Sequence, residues 1–194
     1  MGALFFLCLI GGYISASDHL IQQRACELEG HLALLCLGLT LVARPLDARI
    51  PGILTQRRSL GLLAFAFTIQ HTWNTIVHVL GGTLDGMFFL PLDMQLGVTL
   101  GVFSLLVMVP LALTSNNLSV RLLKKSWKSL HLGVFYAAAL AVLHTLGTGV
   151  HYLVVAQAPL QMACTCLLIG GVLWVWNARE AKAEKVLTEN SGEE

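Results

Sequence analysis

An all-α integral membrane protein, a six-transmembrane-helix bundle with both termini cytoplasmic, is the fold class this sequence predicts, on three observations. Of its 194 residues 56% are hydrophobic and only 12% charged, which is membrane rather than soluble composition. Its apolar residues gather into six stretches that reach, or nearly reach, the roughly 20 residues needed to cross a bilayer core. Its 12 basic residues, Arg24 excepted, fall on one side of those stretches, and cytoplasmic loops retain such an excess.

The first stretch, about 2–17, reads MGALFFLCLIGGYISAS. It lacks the positive start of a secretory signal peptide, so a retained helix is expected, with cleavage as the alternative. An outer loop with Asp18, His19, Arg24, Cys26, Glu27 and Glu29 leads to span 2, about 30–46. Arg44, Arg49, Arg57 and Arg58 separate it from span 3, about 59–80. Asp85 and Asp93 belong to the next outer loop. Arg121, Lys124, Lys125 and Lys128 lie between span 4, about 94–114, and span 5, about 127–155. Span 6, about 159–177, is followed by Arg179, Lys182 and Lys185. The connections are too short for a soluble domain. Residues 1–178 are therefore expected to form one membrane domain, with 179–194 as a polar cytoplasmic tail. No nucleic-acid partner is expected.

Cys8, Cys36, Cys164 and Cys166 fall in apolar spans and Cys26 in the first outer loop. Cys164 and Cys166 point about 200° apart on a helix. Small buried hydrophobes account for these cysteines better than a metal site or a disulfide does.

Five of the seven histidines lie inside spans: His71 and His78 on span 3, His131, His144 and His151 on span 5. Ionisable side chains are costly in a bilayer and face a cavity, a partner or a cofactor. Imidazoles from two helices are also how a b-type haem iron is held. His71 and His78 are seven residues apart, as are His144 and His151, within the similar strings HTWNTIVH and HTLGTGVH. On an ideal helix that spacing keeps one face and advances about 10 Å. Spans 3 and 5 run the same way, so His71 and His144 are expected at similar depth in the outer half, with a haem clamped between them. His131 lies near the cytoplasmic boundary, level with Arg57, and a second haem could use His131 with Arg57 as axial or propionate partner. Thirteen residues separate His131 from His144, about 3.6 turns, so two stacked haems require a kink or bulge in span 5. His78 and His151 are expected at the outer interface, bonding a propionate or meeting an electron acceptor. Gly147 and Gly149 could clear room for a flat macrocycle. The plainer alternatives are packing roles for the histidines, His19 and His31 above all, and positive-inside anchoring for Arg57 and Arg58.

At these residues the chain resembles the ferric-reductase-like transmembrane family, from about residue 28 to 155. The resemblance rests on EGHLALLCLGLTLVARPL, RRSLGLLAFAFTIQH and VPLALTSNNLSVRLLKKSWKSLHLGVFYAAALAVLH. His71, His131 and His144 match the family's haem-linked histidines, and Arg57 and Arg58 its arginine pair. The resemblance implies haem b, one or two, with FMN or quinone as a further cofactor. It implies electron transfer from a cytoplasmic flavin reductase or quinol to an outer acceptor; in its methionine-repair branch that acceptor is a molybdenum-containing reductase. Thr145 and Gly147 stand where the family carries aromatic residues, and His78 and His151 lie outside its pattern. No Gly-rich dinucleotide fingerprint occurs, so the electron source is expected to be borrowed. Direct reduction of metal or oxygen at His78 and His151, and a pigment-binding or structural subunit, are the competing readings.

Overall fold

Among the described residues, four long helices make up most of the fold. The structure, a computed structural model, describes residues 21–155, with side chains over 25–148. Predicted spans 1 and 6, the tail, His19, Cys8, Cys164 and Cys166 lie outside the described residues, as does the His151 side chain. Among the described residues every regular element is helical.

Helix α1 spans Ile21–Leu46. It begins well before the predicted residue 30, because IQQRACELE contains neither glycine nor proline. Cys26 and Glu29, expected in a loop, are therefore helical and buried, at 4% and 3% exposure. Pro45 removes a donor in the last turn and the helix ends there. Asp47 organises the turn that follows, its Oδ1 accepting from the backbone of Gly52 and Leu54 at 3.2 and 3.1 Å.

Helix α2 covers Arg57–Asn74 and continues through a π turn, Thr75–Val79, closed by the Leu80 N–H donating to the Thr75 carbonyl at 2.9 Å. Gly81 and Gly82 stop it, both at positive φ, a conformation glycine adopts without Cβ strain. A short 3₁₀ helix, Leu84–Phe89, leads into α3, Leu92–Leu113. Helix α4, Asn117–Leu123, occupies what reads as loop in the sequence. The Asn116 side chain caps it, accepting from the Ser119 N–H at 2.8 Å. Helix α5, Lys125–His131, and α6, Gly133–Val155, replace the single predicted span 5. The interruption at Leu132, whose N–H is shared between the Lys128 and Ser129 carbonyls, falls directly after His131. It is the irregularity that two stacked sites on this span require.

Among the described residues three helices are long and apolar enough to cross a membrane: Ala25–Leu46, Leu92–Leu113 and Lys125–Thr148. The predicted span 3 is not among them, since α2 carries Thr68, Gln70, His71, Thr72 and Asn74 in its middle and end. Thr68, His71, Thr72 and Asn74 all have hydrogen-bond partners. Thr68 and Thr72 donate to the carbonyls of Ala64 and Thr68, and Asn74 donates to both carboxylate oxygens of Glu29 at 3.0 and 2.8 Å.

The helices pair as α1 with α2 and α3 with α6, and the two pairs join through α2–α3 and α1–α6 contacts. Small residues at the junction, Ala33, Ala64, Ala137 and Ala138, let the backbones approach, as membrane helices commonly do. Ser104 crosses from α3 to donate to the Ala137 carbonyl at 2.8 Å. Outward faces are apolar instead: Phe103, Leu106 and Leu143 are each half exposed or more, a surface that suits hydrocarbon rather than water. The Arg58 guanidinium donates to Asn117 Oδ1 at 2.7 Å, which brings the basic α1–α2 turn and the basic segment after α3 to one end.

Phe67 is the largest side chain fully buried in this core. Its replacement by alanine is expected to lower unfolding free energy by about 2 kcal/mol, below the roughly 3–5 kcal/mol of the same change in a soluble core, because lipid rather than water receives the separated helices. Thermal unfolding in detergent is the measurement, and an unchanged midpoint would contradict this packing.

A candidate paired-imidazole centre

His71 stands on α2 and His144 on α6, where the two helix pairs meet. Their rings lie with centres 6.1 Å apart and planes at 74°. Matched depth on parallel spans predicts this meeting, and the structure brings the two together.

Both rings are held the same way. His71 donates its Nδ1–H to the Cys26 carbonyl of α1 at 2.8 Å. His144 donates its Nδ1–H to the Gly97 carbonyl of α3, also at 2.8 Å. A carbonyl only accepts, so Nδ1 carries the proton in both residues and Nε2 keeps a lone pair. One turn further along each helix, Thr75 and Thr148 donate to the carbonyls of His71 and His144, both at 2.8 Å. The likeness of HTWNT and HTLGT is thus a likeness of hydrogen bonding. Cys26 adds its thiol, 3.4 Å from His71 Nδ1 and 3.2 Å from Thr75 Oγ1.

The spacing has a chemical meaning. A metal–imidazole bond of about 2 Å, with the ring centre about 1 Å behind the nitrogen, puts two imidazoles on opposite sides of one metal ion about 6 Å apart, centre to centre. The observed separation matches that span. Among the described residues no group of three or more His, Cys, Asp or Glu could hold a metal ion; the pair itself offers two Nε2 lone pairs.

The Gly97 carbonyl reaches His144 because α3 and α6 touch backbone to backbone at this level. A Cβ on Gly97 would lie 2.9 Å from Thr148 Cγ2 and 3.0 Å from the Thr148 nitrogen, and one on Gly147 would lie 3.0 Å from Gly97 Cα. Gly147 therefore serves the helix contact, rather than clearing room for a macrocycle as the sequence suggests.

His131 has different surroundings. Its ring stacks on Trp127 with centres 4.0 Å apart, and its Nε2 lies 3.1 Å from Thr114 Oγ1. The Thr114 hydroxyl is also 2.7 Å from the Pro110 carbonyl, to which it donates, so His131 Nε2–H is the donor to Thr114. Trp127 Nε1 donates to the Thr114 carbonyl at 2.9 Å, closing the cluster. Arg57 Nε donates to the Thr40 carbonyl at 3.1 Å, and both Arg57 and Arg58 stand near enough for their charges to act on His131. His78 is exposed within the π turn. The wider turn rotates it off the His71 face, which an ideal α-helix would have kept.

Sequence reading missed the Cys26 and Gly97 carbonyls, Thr114 and Trp127. Only the four-residue spacings Cys26–Gly30 and Gly97–Gly101 carried a signal, as small-residue pairs of the kind that mark close helix contacts.

A family model described as ferric reductase like transmembrane component matches residues 29–142. The chain is 39% identical over 149 residues to the protein-methionine-sulfoxide reductase heme-binding subunit MsrQ of Brucella ovis, and equally to those of Brucella canis and Brucella suis. Each match covers 76% of this chain and 64% of the relative, so the chain spans about two thirds of the length of these curated relatives. No solved structure matches it.

Proposed function

Because this chain belongs to the ferric reductase like transmembrane component family, we propose that it is a membrane b-type haem protein, passing electrons from a cytoplasmic-side flavin reductase or quinol to an outer-side acceptor such as a methionine sulfoxide reductase. The observation that carries this reading is the pair His71 and His144, 6.1 Å apart with both Nδ1 protons on backbone carbonyls. His71 and His144 would hold the haem through their Nε2 atoms, and the haem would supply a one-electron couple within the bilayer. The residues do the rest. The carbonyl bonds fix each ring's tautomer and orientation and raise the basicity of Nε2. The α3–α6 backbone contact holds one of those carbonyls in place, and the apolar core around Phe67 and Met108 excludes water beneath the pair.

A second haem on the cytoplasmic side belongs to this proposal, with His131 as ligand, Arg57 as axial or propionate partner and Arg58 beside it as a cofactor-binding residue. His131 must first shift its Nε2 proton away from Thr114, so this site is the weaker. The basic end of the bundle faces the cytoplasm, both termini with it, and the exposed His78 lies at the acceptor end. A π turn at that position is a frequent feature of functional helices.

The absorption spectrum and haem content of the purified protein test the whole reading. Reduced b-type bands with about two haems per chain are expected, and His131→Ala should retain about one. A protein that purifies folded and takes up no haem on reconstitution would overturn the proposal. A stoichiometry of one that is indifferent to His131→Ala would remove the second site alone.

A further inference from the structure

The carbonyl that holds each candidate ligand lies one helical turn before a glycine. Gly30 follows Cys26 by four residues on α1, and Gly101 follows Gly97 by four on α3. In an α-helix the carbonyl of residue i points along the axis toward residue i+4, whose N–H takes one lone pair and whose Cβ flanks the other. With glycine at i+4 the second lone pair is open, and an imidazole from the facing helix can lie over it. Both glycines are used in this way. A Cβ on Gly30 would stand 3.1 Å from His71 Nδ1 and 3.2 Å from its Cε1; one on Gly101 would stand 2.8 Å from His144 Nδ1, 3.0 Å from Cε1 and 3.1 Å from Cγ. These contacts involve the rings themselves. Gly61 on α2 is unlike them, since its Cβ would meet only Thr40 Cγ2 at 3.8 Å and Thr40 Oγ1 at 4.0 Å.

We propose that Gly30 and Gly101 are positioning residues for the two imidazoles, and that the paired centre is assembled from two copies of one device: a helix carbonyl, a glycine one turn later, and a facing His-x-x-x-Thr. The proposal rests on haem ligation by His71 and His144, and it adds what sets the planes of the ligand rings. Each ring is pinned at Nδ1 by the carbonyl and backed by the bare Cα of the glycine, so its rotation about the metal-binding direction is stopped from behind. The 74° between the rings follows from the separate orientations of α1 against α2 and α3 against α6.

The angle between two axial imidazole planes governs the anisotropy of a low-spin ferric haem signal, and hydrogen bonding at Nδ1 tunes the reduction potential. Gly101→Ala, whose methyl must displace the His144 ring, is expected to shift the largest g value in the paramagnetic resonance spectrum of the oxidised protein and to move the midpoint potential. Gly30→Ala, which asks for a few tenths of an ångström, should produce a smaller shift of the same kind. Gly61→Ala should leave both readouts at the wild-type values. His71→Ala and His144→Ala, measured beside them, report whether these residues are ligands at all. Should those two variants abolish the signal while Gly30→Ala and Gly101→Ala match Gly61→Ala, the positioning role is overturned and the ligand assignment stands. Should the histidine variants keep the signal, the ligand assignment itself fails. If Gly101→Ala does not accumulate as folded protein, Gly30→Ala carries the comparison. Loss of folded protein in both glycine variants, with Gly61→Ala normal, would reduce the glycines to plain packing residues and also overturn the proposal.

Discussion

Replacing either His71 or His144 with alanine should remove the low-spin haem held between them, with haem retention at that site falling by 100-fold or more. Loss of even a hydrogen-bond partner behind a metal-bound histidine costs about 10–100-fold in affinity, and loss of the ligand itself exceeds that. The two variants should behave alike, because the rings are held by equivalent bonds, Nδ1–H to the carbonyls of Cys26 and Gly97, each at 2.8 Å. Haem quantification and the reduced absorption spectrum of the purified variants are the measurements. A His78→Ala/His151→Ala double variant should keep the spectrum and, if that pair serves the acceptor, reoxidise slowly. Retention of haem in both His71→Ala and His144→Ala, with loss in the double variant, would move the site to the outer pair.

Gly97→Val should remove the same haem without touching a ligand. The new side chain would be built into the backbone of Thr148 and Gly147, with the first carbon already 3.0 Å from the Thr148 nitrogen and 3.1 Å from the Gly147 carbonyl carbon. Neither can rotate away as a side-chain tip would, so α3 and α6 must separate. Overpacking of this kind costs about 1–3 kcal/mol, and here it also draws the Gly97 carbonyl off His144. The expected result is a lower thermal midpoint together with loss of the low-spin signal, and Gly97→Ala should fall between this variant and wild type. Wild-type haem content and stability in Gly97→Val would show that the two helices do not cross at Gly97 and Gly147.

Hydropathy and basic-residue counting are local properties, and they were enough for the membrane class, for the helical character of the described residues and for the run Leu92–Leu113, which spans almost the residues its apolar pattern predicts. Two seven-residue histidine spacings at matched depth were enough to single out His71 and His144 as a pair. The resemblance to ferric-reductase-like proteins came from residue strings in the same way, and the family match over 29–142 agrees with it. Where a helix starts within a charged stretch was not legible. Ile21–Gly30 is polar on average, yet it is helical because its inward residues, Cys26 and Glu29, find partners on α2. The 13-residue spacing called for an interruption of span 5 only if two haems stack along it, and the place of the one observed, Leu132, depends on how α5 leaves the Trp127–His131–Thr114 cluster.

What only the tertiary structure decided is how the imidazoles are held. Every residue has a carbonyl, and only a glycine four residues later sets those of Cys26 and Gly97 apart in the chain. They become the acceptors because two helix pairs cross where a glycine one turn later leaves the carbonyl open. The sequence by itself determined which side chains could serve as ligands, since that is a matter of residue type and period. Their tautomer, their planes and their 6.1 Å separation come from helix crossings, which depend on contacts between residues about 45 positions apart in the chain.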